Sequence, residues 1–409
     1  MSKRVALIEP LGDPGIGTYA HELAEALCDQ GVQVDLYTNA TAWTVTRLPR
    51  RHRVFPVLGS ALLRQGAALR APVSIPAQDS GWRPGGTKSA TARRTLRGVR
   101  GSYLTLELAG WLRAMEYDLV WTQWPVVTEG RLNFWSVARA MGLRLAHTAH
   151  NVLPHERGPN DLAPYRTAYR RSQVVVVHSR AAEAALARAF PDLRTKVVVA
   201  PHGLYTAYPR EPAARARLRS ELGVAPGERL VLCFGGIRPY KNVEAVVGAL
   251  ALEQQPFRLL VAGRESGYPD STHADPLRRT RRLVDAAGLM DRTHFRVGPF
   301  AYRETAAFFE AADIVALPYL EGYGSGILLL AMSFGKHVIA TAAGGMTEYL
   351  QHYSAHDVVA APTVDGVRSA LRRADARLGR ETVIPPRPAR FEWTSVVQDL
   401  LPRLFDSAA

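Results

Sequence analysis

Two basic side chains, Arg238 and Lys241, follow a glycine pair in the stretch FGGIRPYKN, which comes directly after a predicted strand. Two fixed cations beside a glycine turn that contains Gly236 suit a diphosphate, because they offset its charge as it leaves. No acidic cluster resembling a metal site lies nearby, so we expect these cations to do the work that a magnesium ion does elsewhere. The alternative interpretation is a pair of surface charges before a helix.

A second candidate site lies in the stretch GSGILLLAMSFGKHVIATAAGGMTEYL. Its residues Ser325, Gly326 and Ile327 form a predicted helix N-terminus, which is a ready binding site for a phosphate, and Glu321 lies in the loop just before it. The strand HVIAT then leads through two further glycines, which allow close approach of a ligand, to Glu348. Glu348 is either part of the site or a partner for the dipole of its own helix.

The first strand of the chain leads into the glycine loop GDPGIGTYAHEL, which contains Gly15, Ile16 and Gly17. Free backbone amides at such a junction favour an oxygen-rich ligand, although the spacing is not that of a clean dinucleotide-binding motif and a tight turn is the alternative. In HTAHNVLPHE, His147, His150 and Asn151 end another strand, where open α/β sheets place their ligands. The strand geometry does not bring His147, His150 and His155 together for zinc, so we expect no metal site.

The elements that must position these residues alternate between short β-branched runs and longer amphipathic helices. This alternation predicts a parallel doubly wound sheet with helices on both faces, and a second alternation from residue 229 onward predicts a second Rossmann-like half. Segment 41–103, rich in Pro, Gly, Ser and Arg, interrupts the pattern and is interpreted as a long loop followed by a basic helix start. It is a solvated insertion, an acceptor lid or an electrostatic contact with a membrane.

The composition narrows the protein class. The 409-residue chain carries a formal net charge of +14 and has only two cysteines, which excludes a disulfide scaffold. No apolar run is long enough to span a bilayer, and the start is a strand, so we expect a cytoplasmic enzyme in a reduced compartment. The excess arginine reflects either codon composition or an anionic partner. No nucleic acid is expected, because no recognition motif accompanies the scattered basic residues.

Together these motifs resemble the retaining glycosyltransferases of family 4, which have the GT-B fold. The resemblance covers nearly the whole chain, and it is most specific over 231–348. It implies an N-terminal acceptor domain of residues 1–204 joined by a final helix in 391–409, and a C-terminal donor domain of residues 205–390. The reaction would take place in a cleft between two Rossmann-like sheets.

The resemblance also implies roles for the candidate residues. Arg238 and Lys241 match the pair that grips the donor diphosphate, and the helix start at 325–327 matches the turn that meets the distal phosphate. His150 matches a histidine near the donor sugar, and the loop at 15–17 matches one that borders donor and acceptor. The family has two glutamates eight positions apart; the second falls on Leu330, and the first falls beside Glu321.

The implied activity is metal-independent, retaining transfer of a sugar from a nucleoside-diphosphate donor to a hydroxyl of a glycan, a lipid-linked or a small-molecule acceptor. No cofactor is implied besides the donor, whose base is UDP, GDP or dTDP. Leu330 suggests a deoxyribonucleotide sugar, which has no 2′-hydroxyl. Basic segment 47–100 would contact the inner face of a membrane. The alternatives are an epimerase or phosphorylase of the same fold, a non-catalytic binder of nucleotide sugars, and a basic scaffold.

Overall fold

The computed structural model forms two compact units. Unit 1 comprises Met1–Val177, Glu183–Ala200 and Val397–Ala409, and unit 2 comprises His178–Ala182 and Pro201–Val396. The structure describes residues 2–12, 14–39, 50–58, 90–126, 132–153, 162–253, 257–265, 276–322, 324–379 and 385–406. Among these, no helix combines the length and the hydropathy that crossing a bilayer requires.

Unit 1 is built on a parallel sheet with strand order β3-β2-β1-β4-β5-β6-β7. Its strands are β1 (Arg4–Glu9), β2 (Gln33–Asn39), β3 (Arg53–Leu58), β4 (Leu119–Thr122), β5 (Leu145–Thr148), β6 (Val174–Val177) and β7 (Lys196–Val199). The helices that accompany them are α1 (Pro14–Asp29), α2 (Ala90–Ala114), α3 (Phe134–Ala140), α4 (Leu162–Arg171) and α5 (Arg180–Ala189), the last beginning in unit 2. The central strands β4, β5 and β6 are buried along their whole length, as expected for a sheet covered on both faces.

Strand β3 corrects the interpretation of segment 41–103 as a loop followed by a helix. It pairs in parallel with β2, and Arg53 Nε donates to Asp35 Oδ1 at 2.6 Å. The strand escaped notice because Pro56 interrupts its sequence, and proline is tolerated there since β3 lies at the sheet edge. The basic helix start corresponds to α2. Residues 40–49 and 59–89, and with them most of the predicted membrane segment 47–100, lie outside the described residues.

Unit 2 contains a second parallel sheet with strand order β10-β9-β8-β11-β12-β13. Its strands are β8 (Arg229–Phe234), β9 (Phe257–Gly263), β10 (Thr293–Val297), β11 (Ile314–Leu317), β12 (His337–Thr341) and β13 (His356–Val359). Its helices are α6 (Pro212–Glu221), α7 (Val243–Ala251), α8 (Pro276–Ala286), α9 (Tyr302–Ala311), α10 (Gly326–Ser333), α11 (Met346–Leu350), α12 (Val364–Leu378) and the start of α13 (Trp393–Phe405), which ends in unit 1. The predicted pair of doubly wound sheets is therefore confirmed.

Candidate active site

A glycine turn follows strand β8 in unit 2. Gly235 has a φ of +93°, a conformation that favours glycine. A Cβ atom on Gly263, at the end of the neighbouring strand β9, would overlap the carbonyl oxygen of Gly235, so the two backbones pack directly on each other. Gly235 N donates to Ala262 O, and Ile237 N donates to Arg264 O, each at 2.9 Å. These contacts fix the position from which the basic residues of the loop project.

Lys241 is the buried cation of this loop. It ends a 3-10 turn formed by Pro239–Lys241, it is only 8% exposed, and its Nζ donates to Phe234 O at 2.9 Å. Burial and, to a smaller extent, the nearby charge of Arg238 lower the pKa of Lys241 to about 8. The amine is still largely protonated at neutral pH, although the folded protein disfavours its charge. An anion bound beside it would therefore gain from neutralising a poorly solvated ammonium group.

Asn242 holds this turn against two other loops of unit 2. Its backbone has a left-handed conformation with φ of +54°, which asparagine tolerates better than most residues. Its side-chain amide donates to Pro318 O at 3.2 Å and to Pro362 O at 2.8 Å. Leu320 N donates to Tyr240 O at 2.8 Å, which adds a backbone link to the loop that follows β11. Sequence analysis did not assign this role to Asn242; the available signal was an asparagine between a turn and a helix.

The predicted anion site at residues 325–327 is a helix N-terminus, as expected. Ser325 caps α10, and its hydroxyl accepts a hydrogen bond from Leu328 N at 3.2 Å. A Cβ atom on Gly326 would lie 2.9 Å from the hydroxyl oxygen of Tyr205, so glycine leaves space for that tyrosine. The amides of the first helical turn have no carbonyl partner inside the helix, which is the usual basis of anion binding at such ends.

The glycine turn and the start of α10 meet around Gly235. A Cβ atom placed on Gly235 would lie 2.6 Å from Lys241 Nζ and 3.1 Å from Ile327 Cδ1. Two sequence motifs separated by about ninety residues thus contribute neighbouring atoms to one place. Gly236 and Arg238 are half-buried in the same loop. A cation and a helix N-terminus, each able to stabilise an anion, therefore lie close to one glycine.

Of the two candidate acidic residues, Glu321 is exposed in a loop and Glu348 already accepts hydrogen bonds from the backbone. Glu321 is exposed in the loop between β11 and α10. Both carboxylate oxygens of Glu348 accept hydrogen bonds, from Arg180 N at 2.8 Å and from Ala181 N at 2.9 Å, in the part of α5 that belongs to unit 2. Any contact of Glu348 with a donor would be additional to these bonds. Leu330 is 3% exposed and belongs to the hydrophobic core of unit 2.

In unit 1 the glycine loop after β1 is organised by Glu9, a residue that sequence analysis missed. The carboxylate of Glu9 is fully buried and accepts hydrogen bonds from Leu11 N at 2.8 Å, from Gly12 N at 2.9 Å and from Thr38 Oγ1 at 2.9 Å. The signal for this role was a charged residue at the end of an apolar strand. Residues 15–17 form the first turn of α1, where Gly15 is exposed, Ile16 half-buried and Gly17 buried.

The two histidines at the end of β5, His147 within the strand and His150 just after it, have different environments. His147 is a core residue: its Nδ1 lies 2.7 Å from Thr122 Oγ1, and burial lowers its pKa to about 3. His150 follows β5 and packs edge-on against Tyr19 of α1, with 4.5 Å between the ring centroids. The structure therefore leaves His150 as the candidate of this motif. His155 lies outside the described residues.

Two protein-family models match the chain. A model of glycosyl transferases group 1 matches residues 214–375, and a model of glycosyltransferase family 4 matches residues 14–208. The first match includes the glycine turn, Lys241 and the start of α10, and the second includes the glycine loop of unit 1 and His150. Together the two matches span most of the chain.

Similar proteins agree with these matches. A D-inositol 3-phosphate glycosyltransferase of Nocardia farcinica is 26% identical over 433 aligned positions that cover 96% of this chain and 86% of that protein. A sucrose-phosphate synthase of Thermosynechococcus elongatus has a TM-score of 0.60 at 21% identity, covering 99% of this chain and 95% of that one. HepE of Anabaena in complex with UDP-glucose has a TM-score of 0.65 at 17% identity, covering 98% and 95%. The chain belongs to the family 4 glycosyltransferases and has the GT-B fold.

Proposed function

We propose that this glycosyltransferase takes a sugar from a nucleoside-diphosphate donor and passes it to a hydroxyl group with retention of anomeric configuration. The observation that carries the proposal is the meeting of Lys241 with the N-terminal turn of α10 around Gly235. A buried ammonium and a helix N-terminus suit the two phosphates of such a donor, and Arg238 lies three residues before Lys241.

The chemistry follows from where charge develops. When the bond between the anomeric carbon and the phosphate oxygen breaks, negative charge grows on the leaving diphosphate. Lys241, Arg238 and the amides of α10 stabilise that charge in place of a metal ion. The leaving phosphate accepts the proton of the attacking hydroxyl. His150 orients the donor sugar, and Glu321 lies in the loop that leads into α10.

The compared proteins support the substrate classes of this proposal. HepE was solved with UDP-glucose, which is a nucleoside-diphosphate sugar. The Nocardia farcinica relative is named for D-inositol 3-phosphate, a phosphorylated polyol with free hydroxyl groups. These names make UDP-glucose the first donor to test and an inositol phosphate the first acceptor, beside the glycan, lipid-linked and natural-product acceptors.

At position 330 of α10 this chain has a leucine, and we propose that it therefore recognises the donor ribose differently from relatives with a glutamate there. Leu330 offers no hydrogen-bond acceptor and is packed in the core. A donor without a 2′-hydroxyl, such as a dTDP-sugar, would lose only the contact to its 3′-hydroxyl when this glutamate is absent, whereas a ribonucleotide donor would lose two contacts. Binding of ribonucleotide donors in preference to dTDP-linked ones would contradict this part of the proposal.

The proposed setting is the cytoplasm, with a peripheral contact at the inner membrane face through basic segment 47–100. The sequence charge of +14 supports an attraction to anionic surfaces.

The proposal is tested by turnover with UDP-, GDP- and dTDP-linked sugars in the presence of each acceptor class. Release of the nucleoside diphosphate gives the rate, and NMR of the product gives the anomeric configuration. We expect a product with the donor's configuration, formed by the wild type and by Lys3→Met but not by Lys241→Met. Lys3 is a suitable control because its side chain is 51% exposed and pairs with Asp118. An inverted product, or equal turnover by Lys241→Met, would refute the proposed mechanism.

A further inference from the structure

A cluster of two histidines and one glutamate joins helix α1 to the chain that enters β3. His21 and Glu25 are one helical turn apart on α1, and His52 immediately precedes β3. One ligand atom from each side chain lies within 4.8 Å of the other two. His52 Nδ1 is 2.6 Å from Glu25 Oε1, and the two imidazole rings are 5.1 Å apart between centroids.

Two nitrogens of this cluster are buried without a hydrogen-bond partner among the described residues. They are Nδ1 of His21 and Nε2 of His52. The side chain of His52 is 0% exposed, and His21 is 5% exposed, so bulk water does not solvate these atoms. Buried polar atoms are nearly always paired in folded proteins, so two such atoms in one cluster indicate a missing partner.

The chemistry of the cluster suits a cation as that partner. Imidazole nitrogens and a carboxylate oxygen are ligands that transition-metal ions take in proteins, and Glu25 Oε1 already lies 2.6 Å from His52 Nδ1.

The surrounding charges are mixed. Arg51 lies at 3.3 Å from Glu25 through its Nε and also pairs with Asp29. Arg50 contributes a further positive charge near both histidines. A bound cation would therefore compete with Arg51 for Glu25, and Asp29 would remain as the arginine's other partner.

We propose that His21, Glu25 and His52 form a binding site for a divalent transition-metal ion of the zinc type. Two imidazoles and one carboxylate are a common three-ligand set for zinc, and a water molecule completes the tetrahedron. Bonds of about 2.0–2.2 Å place tetrahedral ligand atoms about 3.5 Å apart, so atoms now within 4.8 Å need small side-chain movements. Coordination through the unpartnered Nε2 of His52 would leave its Nδ1 able to keep the hydrogen bond to Glu25.

Such an ion would fasten the edge strand of unit 1. β3 pairs only with β2 in the described sheet, and the chain between β2 and β3 includes ten residues that the structure does not describe. The ion would tie the start of β3 to α1 and so stabilise the edge. The cluster belongs to unit 1, whereas Lys241 and α10 belong to unit 2. Metal binding can therefore be measured independently of sugar transfer.

The test uses the full chain without a histidine tag, treated with a chelator and then titrated with Zn²⁺ and, as a spectroscopic probe, with Co²⁺. The variants are His21→Gln, His52→Gln and their combination. His352→Gln serves as the matched control because it removes an exposed histidine elsewhere, in unit 2. Cys28→Ser tests whether the thiol three residues after Glu25 is responsible for binding. Circular dichroism verifies that each variant is folded.

We expect one equivalent of Zn²⁺ to bind and to raise the melting temperature by about 3 °C or more when free metal is in about 100-fold excess over the dissociation constant. Co²⁺ should give the visible bands of a four-coordinate site. Each histidine variant should weaken binding at least tenfold, while the His352 and Cys28 variants bind as the wild type does. No stabilisation of the wild type, or undiminished binding by the folded double variant, would overturn the proposal.

Discussion

Replacement of Lys241 by methionine should make the ligand-free protein more stable at neutral pH, although we propose that it abolishes donor binding. Lys241 has a pKa of about 8 in the folded protein against 10.5 when solvated. This difference corresponds to about 3 kcal/mol by which the folded state disfavours the charged amine. Methionine also removes the hydrogen bond to Phe234 O, at a loss of about 1 kcal/mol. The expected net gain in the free energy of unfolding is about 2 kcal/mol at pH 7.

The stability difference between the methionine variant and the wild type should depend on pH, because Lys241 titrates at a lower pH in the folded state than in the unfolded state. Between pH 8 and pH 10.5 the unfolded state binds more protons at this site than the folded state does, so wild-type stability rises with pH over that window. The methionine variant does not share the rise. Its advantage should therefore be fully present below pH 8, shrink above it and become a loss of about 1 kcal/mol near pH 10.5.

The assay is urea denaturation of both proteins at several pH values, with Lys3→Met as the control for replacing a half-exposed lysine. The control corrects for titration of the other side chains at high pH. A methionine variant that is less stable than the wild type at pH 7, or a difference that does not change between pH 7 and pH 10, would refute the claim that the fold holds a disfavoured cation here.

Three further predictions concern the same site. The affinity for a nucleoside diphosphate should fall about tenfold per pH unit above pH 8, because Lys241 loses its proton there. Calorimetric titrations between pH 7 and pH 10 measure this, and an affinity that does not change with pH would show that another group binds the diphosphate. Gly326→Ala should lower the free energy of unfolding by about 1–3 kcal/mol, because the new Cβ would lie 2.9 Å from the hydroxyl oxygen of Tyr205. Adding Tyr205→Phe to Gly326→Ala removes that hydroxyl and should reduce the loss of stability. Gly324→Ala should leave the stability unchanged, because a Cβ on Gly324 would meet no atom within 4 Å. Leu330→Glu should lower the free energy of unfolding by about 3 kcal/mol, since it places a carboxylate in the core of unit 2, and a melting temperature equal to the wild type's would show that this position reaches solvent or ligand.

The sheet architecture was predictable because strands and helices alternate with clear hydrophobic periods. β13 shows where that reasoning fails: it is only four residues long and carries His356 and Asp357. Asp357 is buried, and its Oδ2 lies 3.0 Å from Nε2 of His337 on the neighbouring strand β12. A partner on another strand makes the buried carboxylate tolerable, and the local sequence does not reveal that partner. β3 was missed for a similar reason, since an edge strand tolerates the proline that breaks its pattern.

The site was predictable as separate motifs and not as an arrangement. Spacing identified a basic turn and a helix N-terminus, but only the fold shows that Ile327 and Lys241 adjoin the same glycine. Burial, and with it the lowered pKa of Lys241, depends on packing from distant strands. The role of Glu9 was equally hidden, because its partner Thr38 comes from the neighbouring strand β2.

The most direct test of the account is calorimetric binding of UDP, GDP, dTDP, ADP and CMP to the wild type, Lys241→Met, Arg238→Ala and Lys3→Met. The account predicts that at least one nucleoside diphosphate binds the wild type and Lys3→Met. Lys241→Met should lose at least tenfold in affinity while remaining folded, and Arg238→Ala should also bind more weakly. Unchanged diphosphate binding by Lys241→Met would contradict the assignment of the buried lysine and the start of α10 as the donor site.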